Sequence, residues 1–484
     1  MRHTLVPTLL LLTLLPGVAP AQDAKAVLDS VAKAMGSAEL TSLQYTGSGT
    51  NFALGQNAAP GAPWPRFNVK SFKRLVNYST VSMHDEIVRT QAEPTPRGGG
   101  GQPLSGEQRQ MFFVSGTHAW NQTGNNMVAA PVALPERLQQ LWITPHGVIK
   151  AAMAHQVTAQ TQTAGDRKLT TLAFTVPGAL KIQATINERH LVEKVTSWSP
   201  HHVLGDMLTE TTYTEYKDFG GLQFPTRIVQ TQGGFPSLDL TVQEVQANAP
   251  ADITVPDDVR QASIKVEANK VAEGVWYLTG GTHHSVVVEM QDHVVVIEGP
   301  QDDARASAVL AETKKLLPSK PIKYVVNTHH HFDHAGGLGA FAADGITIIT
   351  HDVNKAFLAQ SLAAPRTVQP DKLAQSGKQP TVEGMQEKRV LSDGTRVLEL
   401  HVLQGNQHHD GLIVAYLPKE KFLIEADAYT PAAPNTPPPA QPNPFSVNLH
   451  SNLERLKLDV EQILPLHGRQ VPLVELLKAI GKTS

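Results

Sequence analysis

An apolar run, Ile322 to Val326, leads past Asn327-Thr328 into His329-His330-His331-Phe332-Asp333-His334. Few features constrain a fold more tightly. The ligand-type side chains of this His-x-His-x-Asp-His pattern must leave one strand end together and converge, and the Ala335-Gly336-Gly337 turn behind them lets the chain bend away. Imidazole and carboxylate suit zinc and similar divalent ions, which require a fixed geometry. A solvated polar tract would need neither the strand before nor the turn after, so the segment reads as a metal-binding strand-end loop.

At 484 residues the chain is long enough for two or three domains with substantial cores. Its formal net charge of -3 gives no electrostatic reason to expect nucleic acid as a partner, and a small-molecule substrate is expected instead. Cysteine is absent, so no disulfide forms and any metal is held by His, Asp and Glu rather than thiolate.

Residues 1–21 read as a signal peptide. Arg2 supplies the positive start, Leu5 to Leu15 the apolar stretch, and Ala19-Pro20-Ala21 the small-residue site, with cleavage after Ala21. The apolar stretch is shorter than the roughly 20 residues that span a bilayer; an uncleaved anchor is the competing reading. The expectation is a periplasmic or secreted protein whose mature chain has no transmembrane segment. With no Cys after the cut, a lipidated bacterial anchor is excluded. The residues do not indicate an oligomeric state.

From 22 to 261 the chain has the texture of an antiparallel β-rich domain with a few helices, an α+β unit. Val27, Leu28, Val31 and Met35 predict an amphipathic helix over Ala24–Met35. Alternating segments predict strands at Leu43–Gly47, Met111–Ser115, Leu169–Val176, Lys181–Asn187, Leu191–Trp198, Thr211–Lys217 and Leu238–Gln246. A single further helix is expected near Pro135–Ala152, and the Gly/Pro tract Glu93–Pro103 reads as a flexible loop. His201-His202 reads as a solvated turn pair. A helix followed by a curved antiparallel sheet weakly resembles periplasmic lipoprotein-carrier half-barrels, which implies a concave face able to take something apolar.

Turn formers from Ala247 to Asp258 mark a linker, and from 262 to 484 the texture changes to strand pairs followed by strand–helix alternation. Helices are expected at Ala304–Leu317, Gly336–Ala343, Asp352–Leu362, Leu453–Val460 and Val471–Ile480, with a hairpin turning at Asp393-Gly394. His351 opens a helix and reads as structural.

Three later segments complete a pattern. Asn406-Gln407-His408-His409-Asp410-Gly411 is a histidine turn, Lys421 to Asp427 a strand ending in aspartate, and Pro465-Leu466-His467-Gly468 a final histidine turn. Together with the cluster at 329–334 they resemble the signature of the metallo-β-lactamase-fold hydrolase superfamily, over about residues 266–484. The resemblance implies an αββα sandwich with two zinc ions at one edge, iron or manganese being the alternatives. His329, His331 and His408 would hold one ion and Asp333, His334 and His467 the other, with Asp427 bridging. Two divalent cations about 3.5–4 Å apart repel, so anionic bridges are required. Asp333 is assigned the catalytic role as well as a ligand's. His330 and His409 are expected outside the ligand set, His283-His284 reads as a solvated pair, and Glu298 is not placed in the site.

The resemblance implies a zinc hydroxide that attacks an ester, lactone, amide or related small substrate. Asp427 in a chain without cysteine excludes the β-lactamases that use a Cys ligand, and His331 favours zinc over a redox di-iron site. Two other readings remain open: a mononuclear iron oxidoreductase of the persulfide dioxygenase type, and a non-catalytic binding protein with a degenerate site. Seven prolines between Pro431 and Pro444 predict a stiff loop walling the substrate pocket.

Overall fold

The computed structural model describes residues 24–178 and 180–482. The segment read as a signal peptide lies outside them. Among the described residues no helix is long and apolar enough to cross a membrane.

The first half is built on one antiparallel sheet of thirteen strands among the described residues, running from Ser42 to Ala247. Its first strand, Ser42–Phe52, lies at the middle, hydrogen-bonded to Arg66–Asn77 on one side and to the last strand, Phe235–Ala247, on the other. So wide a twisted sheet has to curl. The helix Leu134–Trp142 touches strands of both wings, Ser82–Gln91 and Val192–His201 among them. Val31 and Met35 of the helix Ala24–Met35 join Leu141, Val148 and Ile149 against Leu43, Phe72, Ile182 and Phe224. The face expected to take an apolar guest is therefore filled by the chain's own helices.

Two expectations need correction here. The single helix near 135–152 is two, Leu134–Trp142 and Pro145–Ala154. Thr144 breaks the run because its hydroxyl accepts the Gly147 N–H at 3.1 Å and Pro145 opens the second helix. The strands Arg66–Asn77 and Ser82–Gln91 were hidden by their charges. Arg74 and Asp85 face each other across them, both buried, with Nε–Oδ1 2.7 Å and Nη2–Oδ2 2.6 Å.

The second half is a sandwich of two sheets. Among the described residues one has seven strands from Glu267–Ala272 to Val382–Met385, the other six from Lys388–Ser392 to Val471–Pro472. Val288, Val295, Ile349, Leu400, Ile413 and Ile424 pack between them. The helices Asp303–Leu316, Leu338–Asp344 and Asp352–Leu362 cover the first sheet, and Pro444–Leu456 and Leu473–Ala479 the second. This is an αββα arrangement. The helix expected at Leu453–Val460 starts earlier, at the last residue of the proline tract, because Asn443 caps it by accepting the Phe445 N–H at 3.0 Å.

The halves pack on each other. Asp206 accepts the Thr367 and Val368 N–H groups at 2.9 Å, and Trp64 stacks on Phe235 while meeting Phe332 edge-on. His201 also meets Phe332 edge-on, so the His201-His202 pair lies at this junction rather than in a solvated turn. Two loops of the first half, after Phe52 and after Gln91, pass over one edge of the sandwich.

Candidate metal centre

That edge is where several strands of both sheets end. Val294–Ile297 ends at Glu298, Ile322–Val326 leads into the 329–334 loop, Phe422–Glu425 ends at Asp427, and Gln462–Pro465 ends at His467. Parallel pairing of Val294–Ile297 with Ile322–Val326, and of Phe422–Glu425 with Gln462–Pro465, brings these ends to the same side. Asp427 and Glu298 have φ of 58° and 77°, left-handed backbone that costs non-glycine residues on the order of 1–3 kcal/mol.

Among the described residues two groups of four side chains can each hold an ion, with donor atoms within 4.8 Å of one another. His329, His331, His408 and Asp427 form the first; His283, Asp333, His334 and His467 form the second. All seven residues singled out by the sequence pattern are thus brought together. Asp427 joins the groups, its Oδ2 lying 2.9 Å from His334 Nε2, 3.3 Å from His408 Nε2 and 3.4 Å from His329 Nε2. Its Oδ1 is 3.4 Å from His467 Nε2.

Hydrogen bonds place a proton on the outward nitrogen of five of the six imidazoles in these groups. Thr328 Oγ1 donates to Glu298, so it accepts the Nδ1 proton of His329 at 3.0 Å. His334 Nδ1 donates to Glu298 Oε2 at 3.0 Å, and His467 Nδ1 to the Thr282 carbonyl at 3.0 Å. His408 Nδ1 donates to the Gly100 carbonyl at 3.3 Å, and His331 donates from Nε2 to the Asn57 carbonyl at 2.9 Å. The other nitrogens point inward, where His334 Nε2 also meets Asp427 Oδ2. His329 and His408 face each other Nε2 to Nε2 at 3.2 Å, His334 and His467 at 3.1 Å, and buried His331 Nδ1 has no hydrogen-bond partner.

Facing lone pairs repel unless a cation or proton lies between them. Burial, followed by the imidazoles around them, holds His329 and His331 well below the ordinary imidazole range. Neutral imidazole is the form that binds metal. Burial also pulls His334 down, but Asp333 and Asp427, then Glu298, outweigh it and raise His334. Against the upward pull of burial, His334 holds both Asp333 and Asp427 well below the carboxylate range, with His283 helping at Asp333 and His467 at Asp427. A cage that favours this much positive charge suits divalent cations.

His330 and His409 stand outside both groups and pair with each other. Gly411 N–H donates to His409 Nδ1 at 2.9 Å, so His409 Nε2 donates to His330 Nδ1 at 2.5 Å. His330 Nε2 then donates to Asn57 Oδ1 at 3.0 Å. His351 caps the helix Asp352–Leu362 by accepting the Val353 N–H.

Several participants escaped the sequence reading. His283 is no solvated residue: its Nε2 lies 3.0 Å from Asp333 Oδ2 and its ring packs edge-on to His467. Its position in a turn after the strand Val275–Thr279 was the available signal. Glu298 belongs to the support of His334, accepting its Nδ1 proton at 3.0 Å. Gln56 Nε2 donates to Asp333 Oδ1 at 2.8 Å from the other half of the chain, and no local pattern announced it.

A cavity of about 860 Å³ lies between the halves and reaches the second group at His283 and Asp333. Leu54, Met207, Val259 and Ile264 are among its apolar walls. Asp333 has its side chain 37 % exposed, whereas those of His329, His334 and His408 are fully buried, so the approach is from the Asp333 side. The prolines of 431–444 do not line this cavity. They lie at another side of the centre, where Pro431 packs near Gly468 and Asn443 Nδ2 donates to the Gly101 carbonyl at 2.8 Å.

Residues 238–466 match the model of the metallo-beta-lactamase superfamily. The α subunit of a 2,4-dinitroanisole O-demethylase from Nocardioides sp. (strain JS1661) is 27% identical over 158 residues, 32% of this chain. The matched part spans 43% of that relative's length. Among solved structures, a metallo-β-lactamase from Pontibacter korlensis is 19% identical, with a TM-score of 0.35 over 45% of this chain and 98% of its own. One from Hirschia baltica is 20% identical, with a TM-score of 0.34 over 44% of this chain and 95% of its own. With these histidines and aspartates at strand ends of an αββα sandwich and a family match over residues 238–466, the second half of this chain is a domain of the metallo-beta-lactamase superfamily.

Proposed function

We propose that the chain is a binuclear zinc hydrolase acting on a small ester, lactone, amide or related substrate. The observation that carries this reading is the pair of facing imidazole contacts, His329–His408 and His334–His467, joined by Asp427. Each contact sets two imidazole nitrogens against each other beside a buried carboxylate, an arrangement that fits two divalent cations. His329, His331 and His408 would hold the first ion, and Asp333, His334 and His467 the second. Bound there, zinc would supply Lewis-acid polarisation of a substrate carbonyl and a water whose pKa falls towards about 7.

The chain's own residues do the rest. Asp333, bonded by Gln56 and His283, is positioned at the cavity end of the centre, where its carboxylate can orient an incoming nucleophile by hydrogen bonding. The apolar walls beyond it exclude water from the remainder of a bound molecule. The test is a panel of ester, lactone, thioester, β-lactam, sulfate and phosphodiester substrates, with and without a chelator. Chelator-sensitive, zinc-restored turnover of an acyl substrate is expected. No turnover of any acyl substrate by a zinc-loaded chain overturns the reading.

A further inference from the structure

We infer that the first half of the chain is a built part of the metal centre: the Asn57 and Gly100 carbonyls fix the rings of His331 and His408, and the Gln56 amide holds Asp333. This rests on the two-ion reading above. A ligating imidazole binds through one nitrogen and must place the proton on the other, and an acceptor there sets both tautomer and ring orientation. For His329, His334 and His467 that acceptor comes from the sandwich itself: Thr328, Glu298 and the Thr282 carbonyl. For His331 and His408 it comes from the loops after Phe52 and Gln91. The sandwich alone therefore leaves two of these imidazoles without their outward partner.

Both loops are held to the site by several independent contacts. Asn57 is 4% exposed and binds in three directions: its carbonyl takes His331, its Oδ1 takes His330, and its Nδ2 donates to the Ala59 and Ala62 carbonyls. The second loop is stitched to the first by Gly99 N–H to the Gln56 carbonyl at 2.8 Å. It is stitched to the histidine turn by Gly98 N–H to the Gln407 carbonyl, also at 2.8 Å. Asp410 N–H donates to the Ala58 carbonyl at 2.8 Å, and Arg97 pairs with Asp410.

The approach is close enough to need glycine. Gly98 has φ +75°, and a Cβ there would lie 2.2 Å from the Gln56 carbonyl oxygen. Gly55, at φ +66°, would set a Cβ 2.2 Å from the Phe332 ring. The Glu93–Pro103 tract, expected to be a flexible loop, is thus a fitted strap in which Gly98 and Gly99 are buried.

The experiment uses the full-length chain, stripped of metal and titrated with zinc against a chromogenic chelator. Gln56→Leu removes the amide donor without backbone strain. Gly98→Ala forces the strap away, and Gly61→Ala is its control, because Gly61 has φ +80° with nothing within 4 Å of a Cβ. Gln56→Leu and Gly98→Ala are expected to weaken zinc binding about 10–100-fold, the range for losing a partner of a ligand. Gly61→Ala should bind as wild type, and the melting temperature of the metal-free Gln56→Leu chain should be unchanged. Wild-type zinc affinity in both Gln56→Leu and Gly98→Ala overturns the inference while leaving the two-ion reading intact. A wild-type chain that binds no zinc overturns that reading, and this inference with it.

Discussion

Glu298 Oε2 accepts the Nδ1 proton of His334 at 3.0 Å while the same carboxylate takes the Thr328 hydroxyl, which in turn orients His329. One buried carboxylate thus supports an imidazole in each ligand group. Glu298→Ala is predicted to lower zinc affinity about 10–100-fold, the usual effect of losing such a partner. Competition with a chelator measures it; unchanged affinity would mean that the tautomers of His329 and His334 do not depend on Glu298.

Asp427 lies within 3.4 Å of an imidazole nitrogen from both groups and supplies the charge that two neighbouring cations need. Asp427→Ala should leave the chain with at most one tightly bound ion and reduce hydrolysis by two orders of magnitude or more. Metal analysis and initial rates check this together. Full metal content with wild-type turnover would remove Asp427 from the centre.

His283 touches Asp333 at 3.0 Å and belongs to the second group alone. His283→Ala is predicted to weaken the second ion selectively, so that a titration changes from two tight equivalents to one tight and one weak. Equal weakening of both sites would show that His283 acts through the fold and not at Asp333.

His146, far from the strand-end centre in sequence, is fully buried with Nε2 3.2 Å from the Met35 carbonyl and its ring stacked on Phe224. Burial lowers it to about 4 from an ordinary 6.5. The unfolded chain therefore binds a proton that the folded chain refuses. The stability this neutral ring confers is complete above pH 6.5 and is lost as pH falls through about 4. At 1.36 kcal/mol per pKa unit the loss is on the order of 3 kcal/mol. Chemical denaturation of the metal-free chain should show a slope between pH 6.5 and 4, to which the buried His329 and His331 also contribute, and His146→Phe should make it shallower. An equally steep fall in His146→Phe would show that His146 contributes nothing to it.

Much of the sandwich was legible because its signals are local. The strand Ile322–Val326 and the helix Asp352–Leu362 have the bounds their periodicity predicts, and the ligand-type residues sit at strand ends with recognisable turns. The strands Arg66–Asn77 and Ser82–Gln91 were not legible, since pairing Arg74 with Asp85 needs the other strand to be known. The same limit hid Gln56, Asn57 and Gly100. Their part in the centre is made by a carbonyl or amide that arrives from more than 270 residues away, as in Asn57 and His331. A backbone carbonyl leaves no mark in residue type. The glycines of the strap were visible, but composition alone could not separate a loose loop from a fitted one.

The central claim is that the strand-end edge holds two zinc ions bridged by Asp427. Its most direct test is metal analysis of the purified full-length chain after expression with zinc and iron both supplied. The account predicts two zinc ions per chain and hydrolysis that falls and returns with them. One iron per chain, with no zinc-dependent hydrolysis, would contradict it.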